Sequence, residues 1–262
     1  MKLNNQFNLP GGLGNISLHQ IIPLTLVIVL AISVRIPGLW VPLFGDEATT
    51  FWEHRSSAWN ELFLYYNGPN QHSFFSFLSN LSIQIFGENE ISFRLPSFLA
   101  GILTIPLTWI AGRLIVKSYS ASLLAAFLVS FSTPLLEYSQ QGRGYTLTVF
   151  LTLIIFICGQ RILDSYKRNF LMWSSAFLAA SLCMVSTLPS NIYFLAAYGV
   201  VILYELYRRN KDNTENIKKL VFIRALPVFI MGIITTGYLF FIYEDLQQGV
   251  ETYRIYAKIE GI

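Results

Sequence analysis

The chain has 262 residues, 53% of them hydrophobic and only 13% charged, with a mean hydropathy of +0.50. Soluble domains carry roughly a quarter of their residues as charges, so this composition excludes a soluble globular protein and indicates a polytopic membrane protein. The net charge of +3 is too small to point to nucleic acid as a partner. Cys158 and Cys183 lie inside apolar blocks and read as small packing residues.

Segment 1–20 is rich in Asn and Gly and reads as a cytoplasmic N-terminal segment with a single Lys2. The apolar run behind it has no small-residue cleavage site, so it reads as a retained first span. Crossing a hydrocarbon core of ~30 Å takes ~20 helical residues. Charge-free windows that meet this length are 18–34, 95–112, 118–136, 144–160, 170–204 and 225–243. As one helix the window 170–204 would run ~52 Å, so "TLPSN" around Pro189 must divide it, giving seven spans.

The segment "QHSFFSFLSNLSIQIFG", 71–87, is the ambiguous one. Ser73, Ser76, Ser79, Asn80, Ser82 and Gln84 make it too polar for lipid on every side. Phe74, Phe77, Leu78, Leu81 and Ile85 recur at helical spacing and give it one apolar face. The positive-inside rule decides its placement. With seven spans and an inner N-terminus, twelve basic residues fall inside and six outside, Arg35, Arg55, Arg94, Arg143, Arg254 and Lys258. Treating 71–87 as an eighth span would reverse every later loop, so it is taken as an interfacial helix. The outer face then gathers 11 of the 15 acidic residues.

The longest outer segment, 37–93, opens with "RIPGLWVPLFGDEATTFWEHR". Asp46 stands where an N-cap is expected, ahead of an interfacial helix over 47–66 with an aromatic stripe from Phe51 to Tyr66. Glu47 would then add a favourable charge to its first turn. Ser, Thr or Asn caps without electrostatic cost, whereas paired carboxylates are repelled by anionic lipid. The pair therefore calls for a basic residue, a cation or a proton-donating substrate opposite it. Arg143, in the short turn "LLEYSQQGRGYTLTVF", reads either as a snorkelling arginine or as a fork for two phosphate oxygens. Glu137 is its expected ion partner, Tyr138 and Tyr145 read as belt residues, and Arg94 reads as a headgroup anchor. His72 alone is a weak metal signal. No nucleotide-binding Gly-rich loop or Ser-His-Asp set is visible.

One span, then "GDEA", then "ENEISFRLPSFLAGILTIPLTWIAGRLI" and "EYSQQGRGYTL", resembles the C-type membrane glycosyltransferases. More narrowly it is similar to the bacterial branch related to protein O-mannosyltransferases and the aminoarabinose transferase of lipid A. The likeness covers about 21–243, leaving 244–262 as an outer C-terminal segment. It implies an inner-membrane enzyme that takes a sugar from a polyprenyl-phosphate donor to an extracytoplasmic lipid, glycan or protein acceptor, with inversion. On the matching positions Asp46 and Glu47 are the catalytic residues, Asp46 as general base, and Arg143, His72, Tyr138 and Tyr145 bind substrate. A divalent cation shared by Glu47 and His72 belongs to the same expectation. The chain departs from the family pattern at Ser73 and Phe74, where prolines are common, and at Gln141, where an acid is common. It is also shorter than typical members, which leaves a truncated or inactive member, or a transport or flippase component, as alternatives. Transporters place ionisable or broken segments at mid-span, whereas these spans hold Pro23, Pro106, Pro134 and Pro227 but almost no charge.

Overall fold

Backbone in hydrocarbon must satisfy its own hydrogen bonds, and a single chain does so most simply as helix. The structure, a computed structural model, describes residues 6–8, 15–66, 68, 70–164, 169–211 and 215–260. A short antiparallel ladder pairs β1 (Gln6–Asn8) with β2 (Asn15–Ser17), Gln6 opposite Ser17. There follow α1 (Leu18–Arg35), a 3-10 turn Ile36–Trp40, α2 (Gly45–His54), α3 (Trp59–Leu64), α4 (Ser73–Phe86) and α5 (Glu90–Ile115). Next come α6 (Tyr119–Ser130), α7 (Thr133–Ser139), α8 (Tyr145–Asp164) and α9 (Phe170–Thr187). A 3-10 turn Pro189–Asn191 leads into α10 (Ile192–Asn210), then α11 (Glu215–Phe241) and α12 (Tyr243–Glu260).

The architecture is an all-α polytopic membrane protein. Among the described residues six helices are long and apolar enough to cross a membrane. The bent pair α6–α7, angled at 57°, makes the seventh when counted as one span. Alone, the 12 residues of α6 reach about 18 Å, so a crossing there needs both pieces. The bend falls just ahead of Pro134, which has no N–H to continue the bonding of α6. The division at Pro189 is as expected: Asn191 Nδ2 donates to the Met184 carbonyl at 2.8 Å and closes the end of α9.

The main core lies among α8, α9, α10 and α11, where Ile155, Cys158, Phe177, Met184, Leu195 and Ile202 are buried together. Cys158 and Cys183 are free thiols, the first buried in that core. α1 packs separately, Val27 and Ala31 meeting Ile105 and Trp109 of α5 and Ala126 of α6. Its other face exposes Ile22, Leu26, Val29 and Leu30, a surface suited to lipid tails.

One local expectation changes. The single helix over 47–66 is two helices, because the chain turns between Arg55 and Ala58. Ser57 there donates its backbone N–H to His54 O at 3.2 Å and its hydroxyl to Glu53 O at 3.3 Å. Such local bonds compete with helix continuation. Glu61 then accepts the Ala58 N–H at 3.2 Å and starts α3. The C-terminal segment carries α12, which folds back on the outer loop. Asp245 Oδ2 accepts the Tyr66 backbone N–H at 3.0 Å. The side chains of Lys2, Lys167, Arg168, Lys218, Lys219, Arg254 and Lys258, counted in the inside-outside balance, lie outside the described residues.

Candidate active site

Gly45 has φ +56°, a conformation that side-chain-bearing residues rarely adopt. This turn sets extended Phe44 as the N-cap and carries Asp46 into the first turn of α2. Asp46 is therefore not the cap expected of it, and no side chain caps α2. Its carboxylate points outward, 69% exposed, between two donors. Asn70 Nδ2 reaches Oδ1 at 3.4 Å, and Arg143 Nη2 stands 3.8 Å from Oδ2.

Arg143 is buried, which rules out snorkelling. Its Nη1 donates to Thr50 Oγ1 at 3.1 Å and to the Asp46 carbonyl at 3.2 Å. Its Nη2 meets Tyr145 OH at 3.3 Å and Asn70 Oδ1 at 3.5 Å. Its ion partner is Asp46 and not the neighbouring Glu137. The flanking glycines allow this close seating. A Cβ on Gly142 would run into the Phe93 ring, and one on Gly144 would lie 2.6 Å from Thr187 Cγ2. Tyr145 extends the site, its ring 4.7 Å from that of Tyr138 and edge-on to His72 at 5.0 Å. Burial pushes the Tyr66 phenol up to about 12, with Tyr238 and Tyr145 adding to the effect and Arg143 opposing it. It remains a donor at neutral pH.

His72 is 0% exposed, and its Nδ1 accepts the Gly144 backbone N–H at 2.7 Å. That bond fixes the neutral tautomer with the proton on Nε2, which has no hydrogen-bond partner among the described residues. Burial, then the Arg143 charge, then His54 lower its pKa from 6.5 to about 3. The unfolded imidazole takes its proton near 6.5 while the folded one resists to about 3. In that interval the unfolded state binds more protons, so stability is full above 6.5 and is lost as pH falls below it. At pH 5 the loss is about 2 kcal/mol. Thermal melts in detergent at pH 7.5 and 5 should show this drop, and His72→Asn should flatten it; an equally steep drop in the variant counts against His72 as its source.

Glu47 and Arg94 form the pair that sequence reasoning missed. Glu47 is 5% exposed and Arg94 2%, and they meet in a fork. Arg94 Nε and Nη2 donate to Oε1 and Oε2, both at 2.6 Å. Gly142 N–H donates to Oε1 at 2.5 Å. Arg94 Nη1 also holds the carbonyls of Leu39 at 3.0 Å and Val41 at 2.5 Å. Arg94 is thus no headgroup anchor. It ties the loop after α1 and the start of α2 to the turn carrying Arg143. Arg35, counted with the outer charges, is also buried and donates to Ser139 Oγ at 3.0 Å. One signal was available: a cation and an anion both close to an apolar span need a shared partner to offset desolvation.

The shared cation does not fit these residues. Both oxygens of Glu47 face Arg94, and the His72 lone pair on Nδ1 is taken by Gly144. Among the described residues no three His, Cys, Asp or Glu side chains converge as a metal site.

The family model for dolichyl-phosphate-mannose-protein mannosyltransferases matches residues 71–234, more than half of the chain. The chain belongs to this family. As a member it is an integral membrane glycosyltransferase of the C type, mannosyltransferase-like, in a family that works with a lipid-linked sugar donor. The match takes in His72, Arg94, Tyr138, Arg143 and Tyr145, and begins after Asp46 and Glu47. No curated protein and no solved structure matches the chain significantly.

Proposed function

We propose that the protein transfers a sugar from a polyprenyl-phosphate donor to an acceptor hydroxyl on the extracytoplasmic face of a bacterial inner membrane, with inversion. The observation that carries this reading is the shared mouth of Asp46 and Arg143, an exposed carboxylate beside a buried guanidinium. Asp46 removes the acceptor proton as the hydroxyl oxygen bonds to the anomeric carbon. The bond from that carbon to the phosphate oxygen breaks on the opposite face, and its electron pair leaves as polyprenyl phosphate. Arg143 supports this charge. Its Nη2 contacts, 3.3 to 3.8 Å, are long for charge-assisted bonds and leave it able to turn to phosphate. Tyr138, Tyr145 and His72 shape the sugar side of the mouth.

The exposed Trp40, Phe44, Trp52, Trp59 and Tyr65 surround this outer loop. Such amphipathic rings favour the headgroup layer, which supports α2 and α3 lying in the interface. The order "GDEA", "FRLPS", "YSQQGRGY" supports placement in the branch related to the lipid A aminoarabinose transferase.

Proteoliposomes given polyprenyl-phosphate mannose, glucose or aminoarabinose, with lipid and peptide acceptors, test the reading. Transfer with an inverted anomeric centre, read by NMR of the product, is expected. A retained configuration sinks Asp46 as general base, and no transfer from any such donor sinks the reading as a whole.

A further inference from the structure

A cavity of about 290 Å³ opens between α3 and α4, away from the mouth at Asp46. α2 alone places about 12 Å of helix between Asp46 and His54, and the cavity begins beyond that helix at Ser56. Its floor is Leu62 and Phe77, the latter ring packed 5.7 Å from Phe63. Trp59 stands at its rim, 69% exposed. Asn80 is buried, its Nδ2 spent on the Ser57 carbonyl at 3.1 Å. Among the described residues the Asn80 Oδ1 and the whole Gln84 carboxamide make no hydrogen bond, so an acceptor and a full amide are left for a ligand.

The lining contains no charged side chain. The nearest cation in sequence, Arg55, is engaged elsewhere, its guanidinium carbon 4.3 Å from the Trp52 ring centroid and its Nη1 paired with Glu88. An anion therefore finds no counter-charge in the lining, and the nearby Glu61 carboxylate is already bonded to the Ala58 N–H at 3.2 Å. What remains is an aromatic platform beside unspent amides. That set suits a neutral sugar ring, whose C–H face lies on the aromatic while its hydroxyls reach the amides.

We infer that the α3–α4 cavity is a second saccharide subsite, which holds a neutral sugar of the acceptor remote from the hydroxyl being glycosylated. The acceptor role rests on the proposed transfer reaction; the sugar binding does not. The enzyme would thus favour an acceptor that already carries sugar, made by an earlier glycosyl transfer.

The test is saturation-transfer NMR on the protein in phosphatidylcholine nanodiscs without donor, so that no turnover enters. One arm adds maltotriose, cellotriose or triacetylchitotriose; the other dopes the disc with a diglucosyl diacylglycerol. A saturable signal on sugar protons in either arm is expected, and the arm that responds tells a free glycan from a lipid headgroup. Trp59→Ala and Gln84→Ala, both on exposed positions that leave the core intact, should each weaken binding by about tenfold. No saturable signal in either arm, or a signal unchanged in both variants, overturns the subsite even if sugar transfer is found. Binding without any transfer would leave the subsite standing and the reaction refuted.

Discussion

Asp46→Asn is expected to lower sugar transfer by about 10²–10⁴-fold, the range that one positioned base contributes. Its melting temperature should stay within a degree or two of wild type. Both halves follow from the geometry. The carboxylate is 69% exposed and caps nothing, and Arg143, 3.8 Å away, keeps its bonds to Thr50, Tyr145 and the Asp46 carbonyl, so losing the charge costs the fold little. Asparagine keeps an oxygen for Asn70 and leaves the Asp46 carbonyl in place for Arg143. What it removes is the lone pair that takes the acceptor proton. Asp46→Glu, which retains the base but moves it by one methylene, should recover part of the rate. The comparison is made in proteoliposomes with a lipid-linked sugar under saturating acceptor. Near-wild-type turnover by the asparagine variant would falsify the assignment of Asp46.

Much of this candidate site is legible in the sequence. Asp46, His72, Tyr138, Arg143 and Tyr145 were singled out, and the fold brings all five to one mouth. Asp46 and Arg143 are legible because charges next to apolar spans are costly and stand out, whereas His72, Tyr138 and Tyr145 enter as substrate binders only through the family resemblance. The spans are legible because length and lack of charge nearly determine them. Details that depend on one torsion were not legible. Asp46 looks like a cap because capping preference is local, yet the left-handed turn at Gly45 moves the helix start two residues earlier. The break between α2 and α3 hangs on Ser57 choosing local carbonyls, a choice worth only a small free energy. Pairings over long sequence separations were also out of reach. Nothing in "GDEA" indicates that Glu47 and Asp46, adjacent in the chain, face different partners.

That difference makes the second prediction the larger one for stability. Glu47→Ala is expected to destabilise the protein by about 3–5 kcal/mol, the cost of leaving one member of a buried ion pair alone. Arg94→Met should cost a similar amount, and Arg94→Lys should fare little better because lysine cannot fork a carboxylate. The double variant Glu47→Ala/Arg94→Met separates an ion-pair effect from a packing effect. Removing both charges relieves the unpaired one, so the double variant should be more stable than the sum of the singles predicts. Recovery stays incomplete, since Gly142 N–H and the carbonyls of Leu39 and Val41 lose their partners, at about 1–3 kcal/mol for each that stays buried. Denaturation of detergent-solubilised protein, followed by intrinsic fluorescence, measures all four states. Additive losses in the double variant would show that the fork contributes no coupling. Transfer assays on whatever remains folded then decide the role of Glu47. As a positioning residue that holds the Gly142–Arg143 turn, its loss should raise KM for the donor as well as lower kcat. A fall in kcat alone, with stability unchanged, would return Glu47 to the chemistry beside Asp46.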